Sequence, residues 1–368
     1  MIRIGVLGGY GNVGIWVLRL LHKENKYGLK VAGRNARQVG LELKKELEKV
    51  EWLDVDVDND IETKKFVEEV DIVVNCLGPS AKYSKRIAAI CWKHITKYVD
   101  VGHIKPSNNL VSADDRLYIY AAGTAPGLSA LLCKYMARQY KLVTKMIYVN
   151  AMSGVFSLNA AWDYLDGITS EHNTPMLGGN DCQIDNALLS REDNAALPFI
   201  SGPADLIPYY DKEAQDVIKT IQPKKAAFYV ALPGKQMRRS VEQASILFAH
   251  NPDRAVQKLV QASKVNHIKG NEFLTFLVEI SGVLYSGSEK VQTLVLKTKN
   301  PSALTGEVAG IVTDMIAEDE MNKGIYPLGE FENNVKIVER LKDLDDMEQL
   351  HIYDSDLDSL SVSDEGEI

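Results

Sequence analysis

The stretch Val6-Leu7-Gly8-Gly9-Tyr10-Gly11-Asn12-Val13-Gly14 constrains the fold of this chain more than any other. A short apolar run, Arg3 to Leu7, precedes it. Val13, Val17, Leu20 and Leu21 follow at helical spacing. The pattern predicts strand, glycine turn and helix. The glycines read as GxGxxG in the frame Gly9, Gly11, Gly14, and as GxxGxxG in the frame Gly8, Gly11, Gly14. Such a turn lets the backbone approach a pyrophosphate without a Cβ clash, and the following helix points its free N–H groups at the phosphates. Glycines also serve ordinary turns, so the motif gains its weight from the strand before it and the helix after it. It lacks the Gly-Lys-Ser/Thr ending of an ATP-binding loop.

The second strand decides which dinucleotide fits. A site for NAD commonly places a carboxylate there to hold the ribose 2′-hydroxyl. This chain reads Val31-Ala32-Gly33-Arg34-Asn35 instead. Arg34 stands where a cation would meet a 2′-phosphate, so NADP(H) is expected; a solvated loop arginine is the alternative. Two further strand ends carry candidates. Asn75-Cys76-Leu77-Gly78-Pro79 would hold a loop close to the cofactor, with Cys76 better read as a small buried residue than as a nucleophile. Asp100-Val101-Gly102-His103 ends the next strand, which makes Asp100 and His103 the proton-transfer candidates by position, although an ordinary loop histidine is the stronger reading of His103.

Short apolar strands alternate with helices up to about residue 121, which predicts an α/β fold with a doubly wound parallel sheet. After Gly123 the rhythm changes. Lys145–Ser153 and Phe273–Val283 read as longer strands, and Val291–Lys297 pairs with the latter across Tyr285-Ser286-Gly287-Ser288. A second α+β domain with a mainly antiparallel sheet follows. Thr169–Pro208 reads as loop-rich. Val308–Ile316 and Asn334–Leu341 read as late helices.

With 368 residues, 45% of them hydrophobic, the chain can build two cores. No apolar run approaches the roughly 20 residues of a membrane-spanning helix. Cys76, Cys91, Cys133 and Cys182 form no CxxC pair, and the N-terminus shows no secretory pattern, so a reducing, cytoplasmic location is expected. The histidines show no HExxH spacing, so no metal site is indicated, and no basic aromatic-rich stretch suggests nucleic acid. The net charge of −8 is a property of the C-terminus: Asp343–Ile368 holds ten acids and no Lys or Arg, which leaves the rest close to neutral. That segment reads as a solvated acidic tail, with docking of its apolar positions on the body or on a partner as the alternative.

VLGGYGNVG, VAGRN, VVNCLGP (Val73–Pro79) and YVDVG (Tyr98–Gly102), in this order, resemble the saccharopine dehydrogenase-like oxidoreductases. Gly123-Thr124-Ala125-Pro126-Gly127-Leu128-Ser129 and Gly324-Ile325-Tyr326-Pro327-Leu328-Gly329-Glu330 are similar to that family's exit from, and return to, the nucleotide domain. The resemblance implies an NADP-binding Rossmann domain at 1–125, a substrate and dimerisation domain at 126–310 and C-terminal helices returning to the first domain at 311–342; composition adds the acidic tail at 343–368. It implies that Gly8, Tyr10, Gly11, Asn12 and Val13 form the phosphate loop, with Gly9 and Gly14 completing the motif. Arg34 and Asn35 fall at the adenosine ribose, and Asn75, Gly78 and Pro79, with Cys76 between them, at the inner cofactor wall. It further implies a homodimer and an oxidoreductase acting at the C=N or C–N bond of an amino-acid-derived imine or amine.

An amino-acid substrate calls for a cation on its carboxylate, for which Arg238 is the candidate; two adjacent arginines, Arg238-Arg239, are more often solvated. An enoyl or carbonyl reductase, or a non-catalytic NADP-binding sensor or scaffold, is the alternative. No tyrosine has a lysine four residues later, which counts against a short-chain carbonyl reductase.

Overall fold

The first strand, β1 (Arg3–Leu7), buries Ile4, Val6 and Leu7 completely, as expected of a parallel sheet covered on both faces. The computed structural model describes residues 1–106, 116–169, 192–200, 202–233, 235–267 and 272–364. Beyond β1 the chain alternates through α1 (Gly14–Glu24), β2 (Gly28–Gly33), α2 (Leu41–Glu46), β3 (Glu51–Asp54), α3 (Asp60–Glu68), β4 (Ile72–Asn75), α4 (Ser80–His94), β5 (Lys97–Asp100) and β6 (Leu117–Tyr120). Local chemistry sets several boundaries. Asn59 caps α3 by accepting from the Ile61 and Glu62 amides, and α1 ends where Asn25 turns left-handed.

The chain then runs through α5 (Leu128–Ala137), β7 (Tyr140–Ser153), α6 (Leu158–Thr169), β8 (Glu192–Ala195), β9 (Ala204–Pro208), α7 (Lys212–Ile221), β10 (Lys225–Pro233), α8 (Lys235–Phe248), α9 (Pro252–His267), β11 (Phe273–Leu284) and β12 (Glu289–Thr298). It finishes with α10 (Pro301–Ala317), β13 (Gly324–Pro327), α11 (Asn334–Leu341), β14 (Met347–Tyr353) and α12 (Leu357–Asp364). Among the described residues no helix is long and apolar enough to cross a membrane.

Two units result: Met1–Leu131 with Ser302–Leu344, and Leu132–Pro301 with Asp345–Ile368. The first holds a seven-stranded sheet in the order β13-β6-β5-β4-β1-β2-β3, parallel throughout. This is the expected doubly wound sheet. Its order reverses between β1 and β4, where open α/β sheets bind their ligands. The returning segment begins at Ser302, and it brings a strand, β13, beside β6 as well as helices.

The second unit holds a mixed sheet in the order β14-β12-β11-β7-β10-β9-β8. Only β7 and β10 run parallel; the β11–β12 hairpin turns over the expected Tyr285–Ser288 connection. Leu165, Leu232, Met237, Val241 and Leu259 make a core between this sheet and α6, α8 and α9. The loop-rich expectation for Thr169–Pro208 is replaced by strands β8 and β9 where the chain is described; residues 170–191, with Cys182, lie outside the described residues.

The acidic segment is not a solvated tail. β14 pairs with β12 from Thr298↔Met347 to Thr293↔Tyr353, and Leu357 and Leu360 are buried. Its acids meet lysines: Asp354 lies 2.9 Å from Lys290, and Glu348 lies 2.8 Å from Lys299. Glu279 of β11, only 2% exposed, takes the Leu357 amide on Oε2 at 2.9 Å and faces Lys145 at 3.0 Å. Composition concealed this because the neutralising cations lie far away along the chain.

In the first unit, Asp314 of α10 ties three elements together. It accepts from Tyr27 at 2.5 Å, from Arg340 at 2.5 Å and from Lys26 at 3.0 Å. Burial alone would raise its carboxyl, but these donors outweigh it and hold the group below the ordinary range. A depressed folded pKa contributes stability above the unfolded value of about 4, which is lost as pH falls through the folded value. Asp314→Asn is therefore expected to lower the melting temperature at neutral pH and to lose less stability on acidification than the wild type. Thermal unfolding from about pH 7 to pH 3 measures both.

Candidate functional site

The site is built from the carboxyl ends of β1, β2, β4 and β5. Gly8 turns the chain out of β1 with a φ of +73°, a conformation that glycine adopts freely, and its amide donates to Ala32 O of β2 at 2.9 Å. Gly14 allows the closest approach. A Cβ there would lie 2.4 Å from Gly8 O and 2.6 Å from Gly9 Cα, so only glycine lets α1 start this near the loop. Gly11 differs: a Cβ would meet one atom, Gly8 O at 3.2 Å, and would otherwise face open space. No side chain caps the start of α1, and its first turn holds no acid. The unneutralised helix end and the open position at Gly11 fit a pyrophosphate. Of the two frames, Gly8-x-x-Gly11-x-x-Gly14 matches these roles.

Tyr10 links this loop to the end of β2. Its ring covers Gly33, where a Cβ would lie 2.5 Å from the ring, and its hydroxyl accepts from the Asn35 amide at 3.3 Å. Sequence reasoning missed this role of Gly33; the signal was a glycine closing a strand two residues before Asn35. Arg34 is exposed and makes no ion pair among the described residues. Asp58 is held below its ordinary range chiefly by Lys82, 2.9 Å away, with Arg86 and Arg34 adding their charge. Lys82, Arg86 and Arg34 thus all act on Asp58, and Arg34 does so without an ion pair among the described residues.

On the other side of β1, the candidates sort differently. Asn75 is fully buried. Its Oδ1 accepts from the Leu77 amide at 3.2 Å, and its Nδ2 donates to Tyr98 at 3.1 Å and to Asp100 at 3.2 Å. Asn75 therefore braces the Cys76–Pro79 loop from beneath, a loop that contains a cis Gly78–Pro79 peptide. Burial, with the Asp100 charge second, pushes the Cys76 thiol well up, so it carries no thiolate for nucleophilic work.

Asp100 corrects the expectation of a proton donor. It is 1% exposed, and its oxygens accept from Tyr98 at 2.5 Å, Asn75 at 3.2 Å and the Gly102 amide at 2.7 Å. Burial raises its carboxyl above the ordinary range, and these donors offset that only in part. His103 lies half-buried in the following loop. Tyr98, which sequence reasoning quoted without a role, completes the buried network.

Arg238 is also corrected. It sits on α8 with Asp193 at 2.7 Å, Asp205 at 2.8 Å and Glu242 at 3.6 Å. Its charge is committed to the protein's own acids and is not presented to a substrate carboxylate. Among the described residues no group of His, Cys, Asp and Glu is arranged to hold a metal ion.

Residues 4–131 match the family model of the saccharopine dehydrogenase NADP binding domain. The fold is similar to that of apo saccharopine dehydrogenase (L-Glu forming) from Saccharomyces cerevisiae, at 12% identity and a TM-score of 0.64, over 96% of this chain and 99% of that one. It is also similar to the homospermidine synthase of Legionella pneumophila in complex with NAD, at 12% identity and a TM-score of 0.55, over 96% of this chain and 92% of that one. No curated protein matches the sequence. The class that fold and site define is a two-domain protein with a nicotinamide-dinucleotide domain. More narrowly, residues 4–131 are similar to the saccharopine dehydrogenase NADP binding domain, and the whole chain shares the fold of saccharopine dehydrogenase.

Proposed function

We propose that this chain is an NADPH-dependent oxidoreductase that transfers hydride to or from the C=N or C–N bond of an amino-acid-derived imine or amine. The observation that carries the cofactor half is the combined geometry of the glycine loop. An uncapped α1 lies under the open Gly11, and an exposed Arg34 follows β2 where no carboxylate would claim a ribose hydroxyl. The backbone from Gly8 to Gly14 would hold the phosphates, Arg34 and Asn35 the adenosine ribose, and Cys76 to Pro79 the inner wall. The C–N half rests on the resemblance to the saccharopine dehydrogenase-like family.

The cofactor, when bound, supplies the hydride, and the protein then has to orient the substrate and move one proton. His103 is the remaining candidate for that proton, because its loop follows β5 while Asp100 is enclosed. Arg34→Asp is expected to weaken NADPH binding by about 30-fold, the effect of a charge-assisted bond of about 2 kcal/mol, and to leave NADH binding equal or improved. Fluorescence titration of both nucleotides checks it. An unchanged preference would remove Arg34 from the cofactor site. Consumption of NADPH in the presence of paired 2-oxo acids and amines tests the substrate class.

A further inference from the structure

We propose that Asn75, Tyr98 and Asp100 form a buried positioning device that sets the two loops at the nicotinamide end of the site, with Asp100 acting as an acceptor and not as an acid. The inference rests on the cofactor reading above and deepens it. The two loops are Cys76 to Pro79 after β4 and Val101 to His103 after β5. Together the three side chains bond to both.

The polarity of the device follows from the donors. The Leu77 amide can only donate, so the atom of Asn75 that faces it at 3.2 Å is the oxygen, Oδ1. That orientation turns Nδ2 toward Asp100 at 3.2 Å and Tyr98 at 3.1 Å. The Tyr98 hydroxyl, 2.5 Å from Asp100, donates to it and accepts from Asn75. The Gly102 amide donates to the other Asp100 oxygen at 2.7 Å. Three donors therefore converge on one residue, and only a carboxylate has acceptors on both sides. A chain of fixed polarity runs from the Leu77 amide through Asn75 and Asp100 to the Gly102 amide.

The backbone reinforces it. Val101 N donates to Asn75 O at 3.2 Å, and Ala122 N to Asp100 O at 2.8 Å. Gly102 has room for no side chain, since a Cβ would lie 2.5 Å from Ser80 Oγ at the start of α4. The loop that carries His103 is thereby seated on the helix whose first residues follow the inner wall. Buried networks of this kind specify one geometry when every member is satisfied, and lose it when one polarity is reversed.

The test uses that polarity. Asp100→Asn replaces one acceptor by a donor that faces the Asn75 amide, and relief by flipping Asn75 would strand the Leu77 amide. Asn75→Asp sets two carboxylates against each other. Combining Asn75→Asp with Asp100→Asn restores every donor–acceptor pair. The carboxylate introduced at position 75 would accept from Leu77, Tyr98 and the new amide, and the carboxamide oxygen introduced at position 100 would accept from Gly102. Dissociation constants are to be measured for NADPH and for its adenosine-side fragment, 2′-phospho-ADP, with the melting temperature of each variant.

Each single variant is expected to weaken NADPH by about tenfold or more while fragment binding stays within about twofold, and the double variant is expected to recover NADPH binding to within about threefold. A merely structural role would weaken NADPH and the fragment alike. That result, a single variant that binds NADPH as the wild type does, or a double variant no better than the singles or unable to fold, overturns the proposal. Failure of the wild type to bind either nucleotide would overturn the cofactor reading and this inference with it; wild-type binding without rescue overturns this inference alone.

Discussion

Replacing Gly14 with alanine is expected to abolish nicotinamide-nucleotide binding and to destabilise the first unit. The new methyl would lie 2.4 Å from Gly8 O, 2.6 Å from Gly9 Cα and 3.0 Å from Gly8 C. All three are backbone atoms, so no rotamer change relieves the overlap. The start of α1 must move away from the loop, and the amides aimed at the phosphates move with it. Overpacking of this kind costs about 3 kcal/mol, or roughly 6–12 °C in melting temperature for a unit of this size, and affinity should fall by at least about 100-fold.

Gly11→Ala separates the two effects. Its methyl meets a single backbone atom at 3.2 Å, so stability should change by less than about 1 kcal/mol. The methyl nevertheless fills the open position where the pyrophosphate is expected, and affinity should still fall by about tenfold or more. Calorimetric titration together with thermal unfolding reads both quantities. A Gly11→Ala protein that binds as the wild type does would mean that the loop is a structural turn.

Removing the chain after Leu344 is expected to destroy the second unit. The cut deletes β14, uncovers the edge of β12, and removes the buried Leu357 and Leu360. It also takes the Leu357 amide from Glu279, which then faces Lys145 alone. Losing a hydrogen bond to a buried charged group costs about 1.5–3 kcal/mol, and an uncovered edge strand invites association between chains. The truncated protein should be aggregated or should lack a cooperative transition for that unit. Leu357→Ala keeps the amide and removes only apolar contact, so it should fold at a cost of about 2–5 kcal/mol. A solvated tail would give no change in either variant, and equilibrium denaturation distinguishes the two accounts.

How much of this could be read beforehand depends on where the determining atoms lie in sequence. The β1–glycine loop–α1 unit was legible because strand, turn and helix are contiguous and each carries its own periodicity. The β11–β12 hairpin was legible because Tyr285-Ser286-Gly287-Ser288 separates two strand-like runs. β14 was not, because Asp345, Asp346 and Glu348 make it look like solvated chain, and Lys297 and Lys299, which face Glu348, lie about fifty residues earlier. Arg34 could be placed at the end of a strand from its neighbours alone. Asp100 and Arg238 could be placed along the chain, but their partners could not. Position at a strand end does not reveal that Tyr98, Asn75 and the Gly102 amide enclose one carboxylate, or that Asp193 and Asp205 claim one guanidinium.

The most direct test of the central claim is a titration of the purified wild-type chain with NADPH and with NADH. The glycine loop and the exposed Arg34 predict saturable binding of both, with NADPH tighter by about tenfold or more. Failure to bind either nucleotide, or tighter binding of NADH, would contradict the account.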